Sequence, residues 1–397
     1  MADFNFKVSL FGFMDMLKFK KIVPLRREKL AGGENTPLTG TFPVNKMAEY
    51  LHPKRQTLTI KGIRDYPGAG AKGYVLEGEN LAPFRAGQYL PVELEIGGSV
   101  LHRAYTLCSA PSDAAKGSYE LGIKRTEDGF ASAWILDNWN VGDKITVAGP
   151  DGQCYYEPLR DEAHVVGIAG GSGITPLLSM ARAIAAGTED FELTILYGCR
   201  REEQILFRAE LEAAAAATER VKVVYVLSDE ERPGYEHGFI TAALIEKYAP
   251  KAPYSVFMCG PEAMYRFVGA ECEKLGLDKK HVRCEAVPAP ASPEGLSGYT
   301  GDVSAEYTLT LRMPGEERRV PMKGGESVLT AIERAGIRAN TKCRAGECGF
   351  CRTKLLSGEY FAPEAFDHRR AADAAHGYIH PCSTYPLSDM TLLLWAE

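Results

Sequence analysis

The segment TKCRAGECGFCRTKLLSG, residues 341–358, places three cysteines within nine residues, and Cys382 follows the last of them after thirty intervening residues. Thiols this close together serve a disulfide knot, a zinc site or an iron–sulfur cluster, or lie together by chance. The chain has ten cysteines in 397 residues, and its N-terminus lacks the apolar core and cleavage site of a signal peptide. We therefore expect most of its thiols to be reduced, which weakens the disulfide interpretation.

The spacing of the four cysteines, C-x4-C-x2-C-x30-C, distinguishes the remaining interpretations. Structural zinc sites usually have two close pairs of ligands, which fits a triplet with one distant cysteine poorly. A plant-type 2Fe–2S cluster, in which four thiolates hold two irons, has this pattern. The small residues Ala345, Gly346 and Gly349 allow the backbone to curl and point N–H groups at the cluster sulfurs. The predicted metal ligands are Cys343, Cys348, Cys351 and Cys382.

Composition and charge restrict the classes of protein that fit this chain. Its 397 residues predict two or three domains, and 45% hydrophobic with 25% charged residues is typical of globular proteins. The formal charge of -6 argues against nucleic acid as the main partner, because phosphate binding requires a basic surface. No apolar run reaches membrane-spanning length, and we expect a cytoplasmic protein.

The pattern of apolar residues changes along the chain and predicts several domains. Short β-type runs separated by Gly, Pro and Asp between 56 and 148 indicate an antiparallel barrel. Between 163 and 286, apolar strands alternate with helical stretches, which is typical of a parallel sheet covered by helices; its last predicted strand is HVRCEAV, residues 281–287. The predicted boundaries are an N-terminal extension at 1–55, a barrel at 56–158, an α/β domain at 159–287, a linker rich in Pro, Ser and Gly at 288–301, and an α+β domain at 302–397.

The segment HRAYTLCSAP, residues 102–111, carries side chains suited to a flavin. Arg103 is a candidate to neutralise a flavin phosphate, Tyr105 to lie against the isoalloxazine ring, and Thr106 to hydrogen-bond near the hydride-accepting N5. The alternative is an ordinary barrel strand, since Arg and Tyr both suit half-exposed strand positions.

A second candidate anion site lies in KRTEDGFASAWILDN, residues 124–138. Gly129 precedes Ser132 by three residues at a predicted helix start. Backbone N–H groups from Phe130 to Ser132, together with the Ser132 hydroxyl, suit a pyrophosphate. A simple Ser cap of the helix is the alternative.

Two further segments predict a dinucleotide site. In VVGIAGGSGITPLLSMARA, residues 165–183, a strand ends in a glycine turn that opens a helix. Gly170, Gly171 and Gly173 allow the backbone to approach the phosphates. In MCGPEAM, residues 258–264, Cys259 stands at the end of a later predicted strand and is followed by a Gly-Pro pair. A core thiol is the alternative for Cys259.

These motifs resemble the ferredoxin–NADP⁺ reductase superfamily over 56–287 and plant-type ferredoxins over 300–397. HRAYTLCSAP has the superfamily's R-x-Y-[ST] form, GGSGITP its phosphate loop, and HPCSTYPLSD the ferredoxin sequence around the fourth cysteine. The domain order is similar to that of phthalate dioxygenase reductase-like and phenylacetyl-CoA oxygenase reductase-like proteins. The resemblance implies a multidomain fold with an antiparallel flavin-binding β-barrel, an α/β parallel-sheet nucleotide-binding domain and an α+β β-grasp ferredoxin domain.

The resemblance also implies roles for single residues. Gly129 and Ser132 match the element that holds the flavin pyrophosphate, which favours FAD over FMN. Glu285 matches the family's Glu-x-aromatic pattern, but Val287 is not aromatic, so flavin stacking or nicotinamide access is expected to differ. The residues implied beside the nicotinamide are Thr175, Cys259, Gly260 and Pro261.

For a chain of this kind the resemblance implies an NAD(P)H-dependent oxidoreductase. Electrons would pass from the nicotinamide through FAD to the 2Fe–2S cluster, and then to an external acceptor protein such as an oxygenase, a ferredoxin or another metalloenzyme. The alternatives are a self-contained NADH oxidoreductase that reduces a small molecule such as a quinone, and a redox-sensing subunit. No extra substrate domain is recognised, and the flavin and nicotinamide motifs are intact, which favours the first interpretation.

The choice between NADH and NADPH depends on residues expected near the adenosine. Arg200 and Arg201 in YGCRREEQ suit a 2′-phosphate, although an Arg at this place is also common in NADH users. In LSDEERPG, Ser228 is followed by Asp229 and Glu230, whose carboxylates should repel a 2′-phosphate and accept from a 2′-hydroxyl. The expected cofactor is NADH, with NADPH as the alternative.

Two groups of basic residues leave alternatives open. Residues 1–32 suit a membrane-surface or partner-docking helix, but packing on the protein's own barrel is favoured because no clean apolar face emerges. Gly12 and Pro24 are expected to limit the length of that helix. Basic residues near the cluster either balance its negative charge, which is the simpler interpretation, or form a docking face for an acidic acceptor. These residues are Arg338, Lys342, Arg344, Arg352 and Lys354.

Overall fold

The computed structural model describes residues 10–32, 42–126, 129–285 and 287–394. It divides into two compact units, Met1–Ala48 and Glu49–Glu397. The first contains helix α1 (Leu10–Ala31), and helix α2 spans Pro43–Leu51. None of the described helices has a stretch long and apolar enough to cross a membrane.

Helix α1 differs from the expectation that Gly12 and Pro24 would limit its length. It continues through both residues for 22 residues in all. Pro24 removes one backbone hydrogen bond, but the described side chains around it are exposed, so water can satisfy the freed carbonyl group. Whether α1 packs on the barrel stays a prediction.

The second unit begins with an antiparallel barrel. Alternating residues of its strands point inward, which buries side chains such as Leu58 and Ile60 completely. The strands follow the order β4-β3-β6-β1-β2-β5, and an antiparallel bridge between Leu107 and Leu121 closes the sheet. The elements are β1 (Gln56–Tyr66), β2 (Ala71–Glu77), β3 (Tyr89–Ile96), β4 (Ser99–Thr106), α3 (Pro111–Ala114), β5 (Ser118–Lys124), α4 (Phe130–Asn138) and β6 (Lys144–Val147).

A parallel sheet with flanking helices follows the barrel. Its strands lie in the order β10-β9-β8-β7-β11-β12. From β7 the chain adds strands first on one side and then, from β11, on the other, and α/β sheets bind ligands at such a switch point. The predicted strand HVRCEAV is shorter than expected, because its first residue ends a 3₁₀ turn and only the next three residues pair with β11. The elements are β7 (His164–Gly170), α5 (Ile174–Ala185), β8 (Glu192–Cys199), α6 (Arg208–Ala217), β9 (Val221–Leu227), β10 (Glu236–His237), α7 (Ala242–Tyr248), β11 (Ser255–Cys259), α8 (Glu262–Lys274) and β12 (Val282–Cys284).

The last part of the chain forms a mixed five-stranded sheet that holds one helix against it. The order is β14-β13-β19-β15-β17, in which only β13 and β19 run parallel; β16 and β18 form a separate antiparallel pair. Ser327 caps helix α9 by accepting from the Thr330 amide. The elements are β13 (Glu306–Met313), β14 (Glu316–Lys323), α9 (Val328–Arg334), β15 (Thr353–Ser357), β16 (Tyr360–Phe361), α10 (Ala371–Ala375), β17 (Tyr378–Ile379), β18 (Tyr385–Pro386) and β19 (Met390–Leu393).

Candidate redox site

Three residues from distant parts of the chain meet where the barrel joins the parallel sheet. Thr106 ends β4 and donates its hydroxyl to Glu285 Oε1 at 2.7 Å, while Cys259 ends β11 and donates its thiol to Glu285 Oε2 at 2.6 Å. The Glu285 backbone N–H donates to Met258 O at 3.1 Å, which holds the carboxyl group at the end of the sheet. One carboxyl group therefore connects the predicted flavin strand to the predicted nicotinamide strand.

The burial of this junction controls the protonation of Glu285. Burial raises the pKa of Glu285, and the hydrogen bonds from Cys259 and Thr106 lower it in part. Burial also raises the pKa of the Cys259 thiol, so Cys259 stays a neutral donor. A carboxyl group with a raised pKa that is hydrogen-bonded to a hydroxyl and a thiol can hold or pass a proton between them.

The other flavin candidates lie beside this junction on β4. Tyr105 packs against the barrel core, and burial raises its pKa to about 12. Its half-buried ring is therefore a neutral surface of the kind that a flavin ring can cover. The Arg103 guanidinium donates to His102 O at 2.8 Å and lies 3.5 Å from the Glu333 carboxylate. A positive charge thus lies close to Tyr105 and Thr106, where a flavin phosphate was predicted.

Gly129 and Ser132 lie at the start of α4, but the Ser-cap alternative is wrong. Gly129 is the N-cap, and Ser132 is the third residue of the helix. The Ser132 oxygen accepts from the Thr126 amide at 3.1 Å, which leaves its hydroxyl hydrogen available as a donor. A Cβ on Gly129 would approach Thr126 Cβ to 2.7 Å, so the tight turn requires glycine here. The turn is compatible with an anion at the helix start.

The glycine loop after β7 packs directly on the segment that follows β11. A Cβ on Gly173 would lie 2.0 Å from Cys259 O, and a Cβ on Gly170 would lie 2.8 Å from Met264 Sδ. Glycine is therefore needed at these two positions so that the two loops can touch. The sequence suggested a different reason, the approach of the backbone to phosphates. Gly171 has φ of +55°, which favours glycine.

Thr175 follows this loop in the first turn of α5. Its side chain is buried and donates to Ser172 O at 3.0 Å. Gly260 donates its amide to the Tyr265 hydroxyl at 3.2 Å, and Pro261 is the N-cap of α8. The residues predicted beside the nicotinamide are thus brought to one edge of the sheet, at the reversal between β7 and β11.

Lys124 is a candidate site residue that the sequence reasoning did not identify. It ends β5, and its Nζ lies 3.4 Å from the position that a Cβ on Gly171 would take. Its half-buried ammonium group makes no hydrogen bond or ion pair with the residues that the structure describes. A cation at a glycine turn suits a phosphate. Its only sequence signal was its place at the start of the segment that contains Gly129.

The two segments predicted near the adenosine lie side by side after β8 and β9. The Asp229 amide donates to Arg200 O at 3.0 Å, so both segments meet at the same edge. The Ser228 hydroxyl donates to Asp229 Oδ1 at 2.6 Å. Arg200 is exposed. The Ser228 hydroxyl is thus engaged by a carboxylate that would repel a 2′-phosphate.

The four predicted cluster ligands form two pairs. The sulfur atoms of Cys351 and Cys382 are 3.5 Å apart, and the Cys348 thiol hydrogen-bonds to Cys343, which lowers the pKa of Cys343 to about 5. The Cys351 thiol likewise lowers the pKa of Cys382. One thiol of each pair is therefore stabilised as a thiolate, the form that binds iron. All ten cysteines are free thiols.

The surroundings of these cysteines fit a two-iron cluster better than a single metal ion. Among the described residues, no three His, Cys, Asp or Glu side chains converge on one ion. The amides of Ala345 and Cys348 point at Cys343 Sγ at 3.3 and 3.5 Å. Donors of this kind stabilise the sulfurs of a cluster, and two pairs of thiols match two irons.

Three basic residues, the inner set, lie where the ferredoxin-like part meets the barrel: Arg338 and Lys342 contact the barrel directly, and Arg344 does so through Glu333. Arg338 lies 3.3 Å from Glu93 and 3.0 Å from Glu95, both on β3. Lys342 pairs with Asp151. The backbones also meet, since a Cβ on Gly336 would lie 2.7 Å from Gly98 O in the β3–β4 turn.

Glu333 connects the cluster loop to the flavin strand. It is buried, and it lies 2.5 Å from Arg344 and 3.5 Å from Arg103. It also accepts from the His102 amide at 3.4 Å. Arg344 directly follows Cys343, so a continuous chain of charged groups runs from a cluster ligand to β4. The Ala289 amide donates to Arg344 O at 2.9 Å, which fixes part of the predicted linker to the same place.

Comparisons with known proteins agree with this arrangement. Three family models match: an oxidoreductase FAD-binding domain over 76–156, an oxidoreductase NAD-binding domain over 168–270, and a 2Fe-2S iron-sulfur cluster binding domain over 312–387. The prediction of FAD, a nicotinamide cofactor and a 2Fe–2S cluster is thereby confirmed, as is the predicted fold class.

The chain is also similar to other proteins over most of their length. The chain is 30% identical over 321 residues to the ferredoxin reductase component of 3-ketosteroid-9-alpha-monooxygenase from Mycobacterium tuberculosis, covering 79% of this chain and 86% of that protein. It is 28% identical over 311 residues to NADH oxidoreductase HCR from Escherichia coli, covering 78% and 89%. The structure of phthalate dioxygenase reductase matches with a TM-score of 0.62 at 25% identity, covering 86% of this chain and 98% of that one. The chain therefore belongs to the ferredoxin–NADP⁺ reductase superfamily, among the reductases that carry a C-terminal plant-type 2Fe–2S domain.

Proposed function

We propose that this protein is an NADH-dependent reductase that delivers electrons through FAD and a 2Fe–2S cluster to a separate acceptor protein, such as an oxygenase. The observation that carries the proposal is the position of β4. Within four residues this strand contacts the nicotinamide side through Thr106 and Glu285, and the cluster side through Arg103 and Glu333. A strand in contact with both sides suits a carrier between a hydride donor and a one-electron acceptor.

The chemistry requires three cofactors with complementary roles. NADH supplies two electrons as a hydride, FAD accepts both and can release them singly, and a 2Fe–2S cluster carries one at a time. The chain's own residues position these groups and exclude water. We infer that Thr106, Cys259 and Glu285 form the hydride-transfer junction, with the proton held at the Glu285 carboxyl group.

We assign the remaining site residues on the same basis. The proposed FAD residues are Arg103, Tyr105, Thr106, Gly129, Ser132 and Glu285. The proposed nicotinamide residues are Lys124, Gly170, Gly171, Gly173, Thr175, Arg200, Ser228, Cys259, Gly260 and Pro261. The proposed cluster ligands are Cys343, Cys348, Cys351 and Cys382. NADH is favoured over NADPH because the carboxylate of Asp229 lies beside Ser228.

Two wider assignments belong to the same proposal. The relative from Mycobacterium tuberculosis is a component of a monooxygenase, which supports an oxygenase as the acceptor. We also propose a cytoplasmic location, because all ten cysteines are free thiols and NADH is an intracellular donor. The small-molecule reductase is not favoured, since the similar proteins include reductase components of oxygenases.

Anaerobic stopped-flow mixing of the holoprotein with NADH, and separately with NADPH, tests the proposal. Flavin and cluster absorbance are followed together. Flavin bleaching should come first, cluster bleaching second, and both should be faster with NADH. A bleached flavin with a cluster that stays oxidised would contradict the proposed path. Faster reduction by NADPH would contradict only the choice of nicotinamide.

A further inference from the structure

A second group of basic residues lies at the edge of the cluster domain, around a groove that we call the outer groove. It is an open cavity of about 500 Å³ lined by Arg352, Lys354, Arg370, Ala372, Asp373, His376 and Tyr378. We propose that the outer groove docks an acidic segment of the acceptor protein and is the exit for electrons. This proposal rests on the proposed function and adds the docking surface and the chemistry of the partner.

The cations of the outer groove are held in fixed places. The Tyr378 ring lies between two of them, with its centroid 5.0 Å from Arg352 Cζ and 5.2 Å from Lys354 Nζ. Lys354 also donates to His376 O. These contacts leave the charges oriented before a partner arrives, so binding costs less side-chain entropy.

Positive charge is in excess in the groove. Arg352 and Arg370 share one carboxylate, Asp373, at 2.9 and 2.8 Å. Arg352, Arg370 and Lys354 carry three positive charges against that single negative one, and no other Asp or Glu lines the cavity. An acidic partner would supply the missing negative charges, since electrostatic complementarity steers encounter and suppresses wrong partners.

The groove lies next to the cluster ligands. Arg352 directly follows Cys351, and its amide donates to Gly349 O in the cluster loop at 3.1 Å. The Thr353 hydroxyl donates to Cys351 O at 2.9 Å. A protein docked here would therefore be separated from the cluster by a short covalent path through Cys351.

The contacts of the inner set support an acidic partner for the outer groove. Arg338 and Lys342 already dock this domain on the barrel carboxylates Glu93, Glu95 and Asp151. The inner set is occupied by these contacts and is not free to bind an external protein in this arrangement. The outer groove is a second concentration of positive charge near the cluster, and the pairs of Arg338 and Lys342 show that such charges pair with an acidic surface in this molecule.

Two haem proteins of opposite charge serve as probes. The holoprotein is mixed with NADH and either cytochrome b5, which is acidic, or cytochrome c, which is basic; each NADH supplies electrons for two haem irons. Arg370→Glu and Lys354→Gln should each slow cytochrome b5 reduction at low ionic strength, by about fivefold or more for the charge reversal. Cytochrome c reduction should not slow. Asp373→Asn, which removes the groove's carboxylate, should speed cytochrome b5 reduction.

The matched control is Arg319→Glu, the same reversal of charge on β14 at the opposite edge of the sheet. Its side chain is 75% exposed, so the fold should tolerate the change. Equal effects of Arg319→Glu and Arg370→Glu, or equal effects on both haem proteins, would overturn the proposal. Cluster bleaching by NADH is recorded for every variant; its failure in the unchanged protein would contradict the proposed function and not the groove.

Discussion

The inner set and the outer groove place basic residues on the same small domain for different purposes. Each cation of the inner set faces a carboxylate: Arg338 and Lys342 pair with carboxylates of the barrel, and Arg344 pairs with Glu333. Glu333 in turn contacts Arg103 of the barrel. In the outer groove three cations accompany a single carboxylate, Asp373, which pairs with only two of them. The pairing of charges, and not their number, therefore distinguishes a surface that is closed within the molecule from one that remains open.

Burial adds to this difference. Glu333 is 5% exposed and lies between two arginines, so loss of its charge would leave like charges close together. The Arg370 side chain is 72% exposed, so water screens its charge in the absence of a partner. The contacts of Glu333 should therefore respond strongly to mutation and weakly to salt, whereas the outer groove should do the reverse.

Removal of the cluster tests whether the inner set and the outer groove both affect electron transfer through the cluster. Cys351→Ser removes one of four ligands, and we expect loss of the cluster's visible absorbance and of cytochrome b5 reduction. NADH should still bleach the flavin, because the Thr106–Glu285–Cys259 junction is untouched. If cytochrome b5 were still reduced at the normal rate, electrons would leave directly from the flavin. Neither the inner set nor the outer groove would then act through the cluster.

Disruption of the inner contacts should have the next largest effect. Glu333→Gln leaves Arg103 and Arg344 without a counter-charge, and breaking a buried pair in this way costs about 3 kcal/mol. We expect cluster bleaching to slow about tenfold or more while flavin bleaching by NADH keeps its rate.

The control for this variant is Glu326→Gln, which removes the partner of Arg334 on the exposed side of the same helix. The Arg334 side chain is 40% exposed and contacts no barrel residue through this pair. Equal slowing of cluster bleaching in both variants would mean that general destabilisation, and not docking on β4, is responsible.

Salt should distinguish the inner set from the outer groove without any mutation. Raising the ionic strength from about 0.01 to about 0.15 M shortens the Debye length from about 30 to about 8 Å. Cytochrome b5 reduction should slow several-fold, because the groove's charges are exposed, while the rate of cluster bleaching by NADH changes little. The opposite pattern would indicate that the inner contacts open and close freely in solution.

The response of the inner set to acid should be the smallest of these effects. Burial alone would raise the pKa of Glu93, but hydrogen bonding to Arg338 lowers it below the ordinary value of 4.5. The contribution of this pair to stability is therefore present above pH 4.5 and is lost as the pH falls through the lowered pKa. Arg338→Ala should cost less than about 1 kcal/mol at pH 7, and the difference in unfolding midpoint should shrink below pH 4.5. A difference that does not change with pH would assign the effect of Arg338 to packing.

The sequence predicted those features that depend on local spacing or on strong periodicity. The cysteine pattern predicted the cluster because its ligands are mostly within one loop, and the alternation of apolar residues predicted the barrel and the parallel sheet. Short strands such as β15 and β19 carry too few residues for a clear period. Their place in the sheet depends on pairing with distant strands.

Long-range contacts explain what the sequence did not predict. Lys124 was not identified because its relation to Gly171 exists only after β5 and the glycine loop come together. The five basic residues near the cluster appeared as one group in the sequence. Their separation into an inner set and an outer groove depends on how the last domain packs against β3 and β4, which no local pattern contains.

The position of Arg103 and Thr106 on β4 also bears on how such proteins can change. Successive residues of a strand point to opposite faces, so these two side chains, three positions apart, project to different sides of the barrel wall. The contact toward the nicotinamide, through Thr106, and the contact toward the cluster, through Arg103, therefore leave the same strand on different faces. During evolution the ferredoxin domain could therefore be exchanged for one that serves another acceptor protein while the nicotinamide cofactor stays the same. The new domain would need a carboxylate where Glu333 now lies.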